Sequence, residues 1–163
     1  MKPLERAVRV LADQVRQGLT PHELALTLAV GLCLSVPPVI GTTTILCALA
    51  AVVLRLNQPL IQAVNFLAYP LQLLLLVPYL RAGEWLFREP HTPLSPSKIA
   101  AMARTDLRGT IASLGTVLWH GALVWAVLSV PMGFLLYAIL KPGLARMQAK
   151  LRREEAAGAA PAG

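Results

Sequence analysis

The stretch from Leu24 to Leu80 constrains the fold more than any other part of the chain, because Arg55 is its only formally charged residue. Arg55 separates apolar blocks at 24–54 and 56–80, each longer than the ~20 residues that cross a bilayer as a helix. A third block without Asp, Glu, Lys or Arg spans 109–140, and charged residues make up only 14% of the chain. In a typical soluble domain, charged residues make up about 25% of the chain. We therefore predict an all-α integral membrane protein.

Proline interrupts each of the first two blocks near its middle. The first break is Pro37-Pro38, followed by Gly41, and the second is Tyr69-Pro70. Proline removes a backbone donor and blocks the helical register, and lipid cannot satisfy the freed backbone groups. We therefore expect each block to turn back at its break as a re-entrant helical hairpin, with the first break covered by protein at membrane depth.

Two basic segments flank this membrane domain. Residues 1–19 place apolar residues at spacings of three and four, which predicts an amphipathic helix on the membrane interface or on the domain's own cytoplasmic face. Thr20-Pro21-His22-Glu23 then combines a cap, a helix-starting Pro and a capping-box Glu. The predicted organisation is an interfacial helix at 1–19, a membrane domain at 20–140 with a Pro-rich loop at 89–98, and a charged tail at 141–163.

Hydroxyl and amide side chains follow the first break and recur in the second block. Thr42, Thr43 and Thr44 are consecutive, and Asn65 lies in the second block. Polar side chains in apolar surroundings face protein or water. Two interpretations stay open: the hydroxyls bond carbonyls or cap the returning helix, or they line a polar pocket at a half-helix N-terminus, which favours anionic groups.

Arg55 and Asn57 form a second candidate contact, between the two blocks. As an ordinary loop residue, Arg55 would only mark the cytoplasmic side. As a ligand, its planar guanidinium would bind phosphate through two parallel hydrogen bonds, which a Lys ammonium cannot reproduce. Asn57 and the turn-stiffening Pro59 favour the second role, so we expect Arg55→Lys to insert normally and to impair function.

No catalytic or metal-binding pattern is present in the apolar blocks. They contain no paired carboxylates and no Ser/His/Asp arrangement, and the spacing of Cys33 and Cys47 does not suit a metal. His120 is a bonded structural residue, a proton relay or a headgroup contact. We predict no enzyme activity, no cofactor and no metal. The net charge of +7 does not indicate nucleic acid, because the basic residues lie at the ends of apolar blocks, where they contact lipid headgroups.

The topology is constrained by basic residues on both sides of all three blocks. Cytoplasmic loops carry the excess of Lys and Arg, so three simple crossings would leave one basic segment outside. Two re-entrant hairpins would remove this conflict and place residues 1–20, 55–59 and 89–96 in the cytoplasm. The third block either turns back at Pro131-Met132-Gly133 or crosses once.

An ordered series of Pro, Gly and Asn positions carries a family resemblance. The series comprises Pro21, Ala25, Ala29, Gly31, Pro37, Pro38, Gly41, Thr44, Ala50, Leu54, Arg55, Asn57, Asn65, Pro70, Pro78, Tyr79 and Gly83. Over about residues 20–140 the chain resembles the bacterial domain-of-unknown-function family 2062. Two residues depart from that pattern. Thr43 stands where Gln or His is common in the family, and Tyr69 stands where Asn is common. The resemblance implies a multi-pass protein of the bacterial cytoplasmic (inner) membrane and transfers no activity.

The functional hypothesis combines this resemblance with the polar residues near the breaks. Some proteins of that family are joined to glycosyltransferase-like domains, which implies work on envelope glycans or lipids. The leading hypothesis is translocation or binding of an anionic lipid or lipid-linked envelope precursor. The alternative is a non-transporting membrane scaffold for an envelope glycan or lipid synthase. The expected partners are membrane lipids, further copies of the chain and an envelope-biosynthesis enzyme. The proposed headgroup contacts are Thr42, Thr43, Thr44, Arg55, Asn57 and Asn65.

Overall fold

The computed structural model describes residues 19–39, 41–89 and 96–158. Every regular element in these ranges is an α-helix, so the all-α prediction is confirmed. The helix predicted at 1–19 and most of the loop at 89–98 lie outside the described residues. The helices of the described part are α1 (Pro21–Leu34), α2 (Thr43–Val53), α3 (Gln58–Leu67), α4 (Tyr69–Phe87), α5 (Pro96–Thr105) and α6 (Leu107–Gly158).

Helix α1 begins at the predicted start signal. The Thr20 hydroxyl accepts a hydrogen bond from the Glu23 amide at 3.2 Å, and the Glu23 carboxylate accepts one from the Thr20 amide at 2.8 Å. This capping box satisfies donors that the first turn leaves without a helical partner. Hydrogen bonds from the Thr20 backbone and side chain favour the ionised carboxylate, so the pKa of Glu23 lies below its ordinary value.

The first break reverses the chain, as predicted for the first block. Helix α2 returns beside α1, and Leu26 of α1 packs on the buried cluster that contains Cys47 and Ala51 of α2. Pro37 and Pro38 are buried. The side-chain amide of Gln72, from α4, donates a hydrogen bond to the Pro37 carbonyl at 3.0 Å. Protein therefore covers this part of the break and satisfies a carbonyl that no helix uses.

The end of the first break differs from the prediction. Gly41 is exposed, whereas we expected protein to cover it. Its φ of 94° lies in the left-handed region that glycine adopts without steric cost. The Thr42 hydroxyl donates to the Val39 carbonyl at 3.0 Å, and α2 starts at Thr43. This side of the turn satisfies part of its backbone locally and needs less protein cover.

The second break bends the chain without reversing it. Helices α3 and α4 meet at Ala68 with a change of direction of 62°, and a hairpin would need a near-complete reversal. Pro70 lies in the first turn of α4, where its missing N–H is tolerated. The structure therefore has a bent pair of helices at Tyr69-Pro70 and does not support the predicted second hairpin.

The third block lies within one long helix. Helix α6 has 52 residues and continues through Pro131 and Pro142, and its length is about 78 Å at 1.5 Å per residue. The chain therefore does not turn back at Pro131, which was one of the two predicted alternatives for the third block. The same helix continues into the predicted tail as far as Gly158. The segment Leu107–Arg153 is long and apolar enough to cross a membrane. Within its most apolar stretch, only 6% of the residues are buried by the rest of the protein. Helices α3 and α4, taken together as one bent pair, are also long and apolar enough to cross a membrane.

Helices α1 and α4 both pack along α6 and run opposite to it. At the start of α1, His22 contacts Tyr137 at 2.7 Å. At the end of α1, the indole N–H of Trp125 donates to the Cys33 carbonyl at 2.9 Å. That bond satisfies a carbonyl in the last turn of α1, where a helix provides no partner of its own.

Two glycines bring α4 and α6 almost into backbone contact. A Cβ atom on Gly83 would lie 2.8 Å from the Gly121 amide nitrogen, and one on Gly121 would lie 2.9 Å from a methyl carbon of Leu80. Small residues permit such close helix contact. Beside the crossing, the Phe87 ring stacks on His120 with a centroid separation of 4.0 Å.

Candidate functional site

The hydroxyl and amide residues near the first break bond mainly to one another. The Asn65 side-chain amide donates to the Thr44 hydroxyl at 3.2 Å, and the Gln62 side-chain amide donates to the Thr44 carbonyl at 3.2 Å. Asn65 and Thr43 are buried, whereas Thr42 and Thr44 are exposed. These bonds tie the start of α2 to α3.

Arg55 and Asn57 lie at the opposite end of α2. The Asn57 side-chain oxygen accepts a hydrogen bond from the Leu60 amide at 2.8 Å and caps α3. Arg55 has a φ of 53°, and the following Leu56 amide donates to the Ala51 carbonyl at 2.9 Å. This is the helix-ending arrangement in which glycine usually occupies the left-handed position. The Arg55 side chain is exposed.

The six residues predicted to bind a headgroup therefore form two groups. Thr44 lies in the first turn of α2 and Arg55 follows its C-terminal end, eleven positions further along the chain, which corresponds to about 16 Å at the helical rise. Thr42, Thr43, Thr44 and Asn65 belong to the group at the first break, and Arg55 and Asn57 belong to the turn before α3. The structure does not bring the two groups together.

Two apolar grooves flank the contact between α1 and α6. The first, which we call the His22 groove, has a volume of about 450 Å³, and the second, the Tyr79 groove, has a volume of about 440 Å³ and also borders α4. Cys33 and Ser129 line both grooves. The other residues of the His22 groove are Leu26, Ala29, Val30, Leu34, Val130, Gly133, Phe134 and Tyr137.

One end of the His22 groove is polar. The Nδ1 atom of His22 lies 2.7 Å from the Tyr137 hydroxyl, and the two rings meet edge to face at an interplanar angle of 89°. The Lys141 ammonium lies 5.5 Å from the centre of the Tyr137 ring, within the range of a cation–π contact. In the sequence, His22 belongs to the helix-start motif Thr20-Pro21-His22-Glu23. Its pairing with Tyr137, 115 residues away, has no local sequence signal.

A second polar layer lies near the far end of α4. The Glu84 side chain is fully buried and accepts a hydrogen bond from Arg81 at 2.7 Å. The His120 Nδ1 atom is buried and has no hydrogen-bond partner among the residues that the structure describes. On α6, seventeen residues separate His120 from Tyr137, so the two polar layers are about 26 Å apart.

The comparisons with known proteins identify the family. The profile of the bacterial domain-of-unknown-function family 2062, an uncharacterized protein conserved in bacteria, matches residues 5–153. The chain belongs to family 2062. No curated protein and no solved structure matches the chain.

In this member of family 2062, the two departures from the expected pattern lie outside both grooves. The Thr43 side chain is buried in the first turn of α2, and Tyr69 opens α4 with half of its surface exposed. No group of three or more His, Cys, Asp or Glu side chains in the described ranges could hold a metal ion. The family description names no activity, so function has to be argued from the grooves and their polar ends.

Proposed function

We propose that this member of family 2062 is an integral protein of the bacterial cytoplasmic membrane that binds or translocates an anionic lipid or lipid-linked envelope precursor. The observation that carries the proposal is the pair of grooves beside α6. Both are lined almost entirely by apolar side chains and open at the protein surface. A water-soluble substrate would need several polar groups to fix its orientation, whereas a lipid chain would not.

Exposed apolar side chains support the membrane location. Large hydrophobic residues face outward on helices α2, α4 and α6, as in Val53 (76% exposed), Leu74 (71%) and Phe134 (73%). Soluble monomers rarely expose continuous apolar surface beyond a few hundred Å². A lipid environment removes the cost of that exposure because lipid tails are as apolar as these side chains.

The two polar layers suggest the topology. Their separation of about 26 Å along α6 is close to the ~30 Å thickness of the hydrocarbon core. We propose that α6 and the bent pair α3–α4 each cross the membrane, and that the α1–α2 hairpin enters it from the Tyr137 side and returns.

The distribution of basic residues favours the cytoplasm for the Tyr137 side, because cytoplasmic segments carry the excess of Lys and Arg. The proposed topology assigns ten of the 15 basic residues to the cytoplasm. They are Lys2, Arg6, Arg9, Arg16, Arg55, Lys141, Arg146, Lys150, Arg152 and Arg153. The topology places the remaining five basic residues on the opposite side of the membrane. They are Arg81, Arg88, Lys98, Arg104 and Arg108.

The scaffold remains a second candidate because of one feature of α6. Helix α6 continues past Lys141 to Gly158, and Leu144, Met147 and Leu151 pack on the cluster that contains Leu24 and Leu60. The other side of this segment exposes basic residues such as Arg146 and Arg152, and an exposed basic surface suits the docking of a cytosolic or membrane synthase. Translocation would also call for a homo-oligomer, because a single chain provides little wall around a lipid path.

Lipid movement in reconstituted vesicles separates the two candidates. The full chain is incorporated into vesicles that contain a fluorescent phosphatidylglycerol, and dithionite is added to bleach the outer leaflet. A translocating protein should allow bleaching to proceed beyond the outer-leaflet fraction seen in protein-free vesicles. Bleaching that stops at the protein-free level would refute translocation and leave binding or the scaffold.

A further inference from the structure

We infer that the His22 groove holds one acyl chain of an anionic phospholipid, whose phosphate lies at the polar end formed by His22, Tyr137 and Lys141. The inference rests on the proposed function, because it takes the occupant to be a lipid. It goes further by assigning the chain and the phosphate to different residues of a single groove, and it does not use the residues near the first break.

The polar end of the groove has the chemistry that a phosphate needs. The hydrogen bond between His22 and Tyr137 holds both rings in place, and the Lys141 ammonium beside the Tyr137 ring supplies a positive charge with three donors. Tyr and Lys are typical residues at headgroup level, where an apolar body and a polar tip are both accommodated. Glu23, the nearest acidic residue in sequence, is bonded to Thr20 and caps α1.

The body of the groove suits a hydrocarbon chain. Its polar atoms are already engaged: the Cys33 thiol donates to the Ser129 carbonyl at 3.5 Å, and the Ser129 hydroxyl donates to the Ala126 carbonyl at 3.0 Å. Ala29 and Gly133 are the small residues that leave the space open. A chain in the groove would therefore desolvate no unpaired polar group.

Charge distinguishes this groove from its neighbour of similar size. The Tyr79 groove is lined by apolar residues together with Ser129, Cys33 and Tyr79, and no charged residue lines it. Lys141 lines neither groove, but its ammonium lies beside the Tyr137 ring, which lines the His22 groove and not the Tyr79 groove. An anionic lipid is therefore the occupant whose headgroup charge complements this groove.

The test counts retained lipid by native mass spectrometry. The full chain is purified in a non-ionic detergent and offered phosphatidylglycerol or phosphatidylcholine with identical acyl chains. Lys141→Gln should weaken phosphatidylglycerol binding about fivefold, because one basic residue near an anionic headgroup contributes about a factor of five. Phosphatidylcholine binding should weaken less, because its choline cation cancels the charge of the same phosphate. Arg146→Gln is the matched control: it removes the same charge from the exposed surface of α6, away from the groove.

A second pair of variants tests the acyl-chain part. Val130 lines the groove and is 61% exposed, so Val130→Trp can fill the groove without entering the core. Displacing two methylene groups from the groove weakens binding about tenfold, so both lipids should be retained about tenfold less. Val127→Trp is the control, because Val127 is 71% exposed on the same helix and lines neither groove.

The possible results separate this inference from the proposed function. If the wild-type chain prefers phosphatidylglycerol but neither Lys141→Gln nor Val130→Trp weakens it, the lipid site lies elsewhere and only the inference fails. If the wild-type chain shows no preference, both fail. Val130→Trp that changes the oligomeric mass but not lipid retention would make the groove a subunit interface. Glycerol 3-phosphate that binds as tightly as the lipid would remove the acyl chain from the site.

Discussion

Replacing Gly83 by Ala should destabilise the fold at the crossing of α4 and α6. The added Cβ would lie 2.8 Å from the backbone of Gly121 and His120, and a helix backbone cannot move aside as a flexible side chain can. Overpacking of this kind costs about 1–3 kcal/mol, while Ala gains up to about 1 kcal/mol of helix propensity over Gly. We expect a net loss of about 1–2 kcal/mol of unfolding free energy.

Gly115→Ala is the matched control on α6. Apart from its chain neighbours and the backbone of its own helix, no described atom would lie within 4 Å of a Cβ at Gly115, so only the propensity gain should remain. Thermal unfolding followed by circular dichroism in one detergent would compare the two variants. For a chain of this size, the expected loss at Gly83 lowers Tm by about 2–8 °C, and Gly115→Ala should raise Tm slightly. Equal Tm values for the two Ala variants would refute the close crossing.

Three further predictions concern the turn between α2 and α3. Arg55→Gly should raise the unfolding free energy by about 1 kcal/mol, because it relieves the left-handed φ of 53°; an unchanged Tm would argue against that conformation. Arg55→Lys should leave Tm unchanged and slow lipid movement in the vesicle assay, if the guanidinium binds phosphate through two bonds; full activity would reduce Arg55 to a topology signal. Asn57→Ala should cost about 1 kcal/mol by removing the cap of α3, and a loss below the error of the denaturation curve would contradict the cap.

Much of the local structure could be predicted from the sequence, because it depends on neighbouring residues. The Thr20–Glu23 capping box and the break at Pro37-Pro38 both follow from short-range rules of helix starts and stops. The direction taken after Pro70 could not be predicted, since a proline in the first turn of a helix is compatible with a bend or a reversal.

The candidate site was less predictable, because its residues are distant in sequence. His22 and Tyr137 meet only when α1 packs against α6, and neither has a local feature that marks it. Glu84 lies among Trp and Arg residues in the sequence, a composition typical of a membrane interface, whereas the structure buries its side chain beside Arg81. The polar residues that were noticed, Thr44 and Asn65, bond to each other instead.

The most direct test of the account is the sidedness of two exposed positions, Gln58 at the start of α3 and Lys98 in α5. The Gln58→Cys and Lys98→Cys variants are each treated with an impermeant maleimide in intact spheroplasts. The maleimide should label Lys98→Cys at once, and it should label Gln58→Cys only after the membrane is permeabilised. The wild-type chain, whose Cys33 and Cys47 are buried, gives the background. Labelling of both positions only after permeabilisation would restore the second re-entrant hairpin, and recovery of the protein in the soluble fraction would contradict the membrane account altogether.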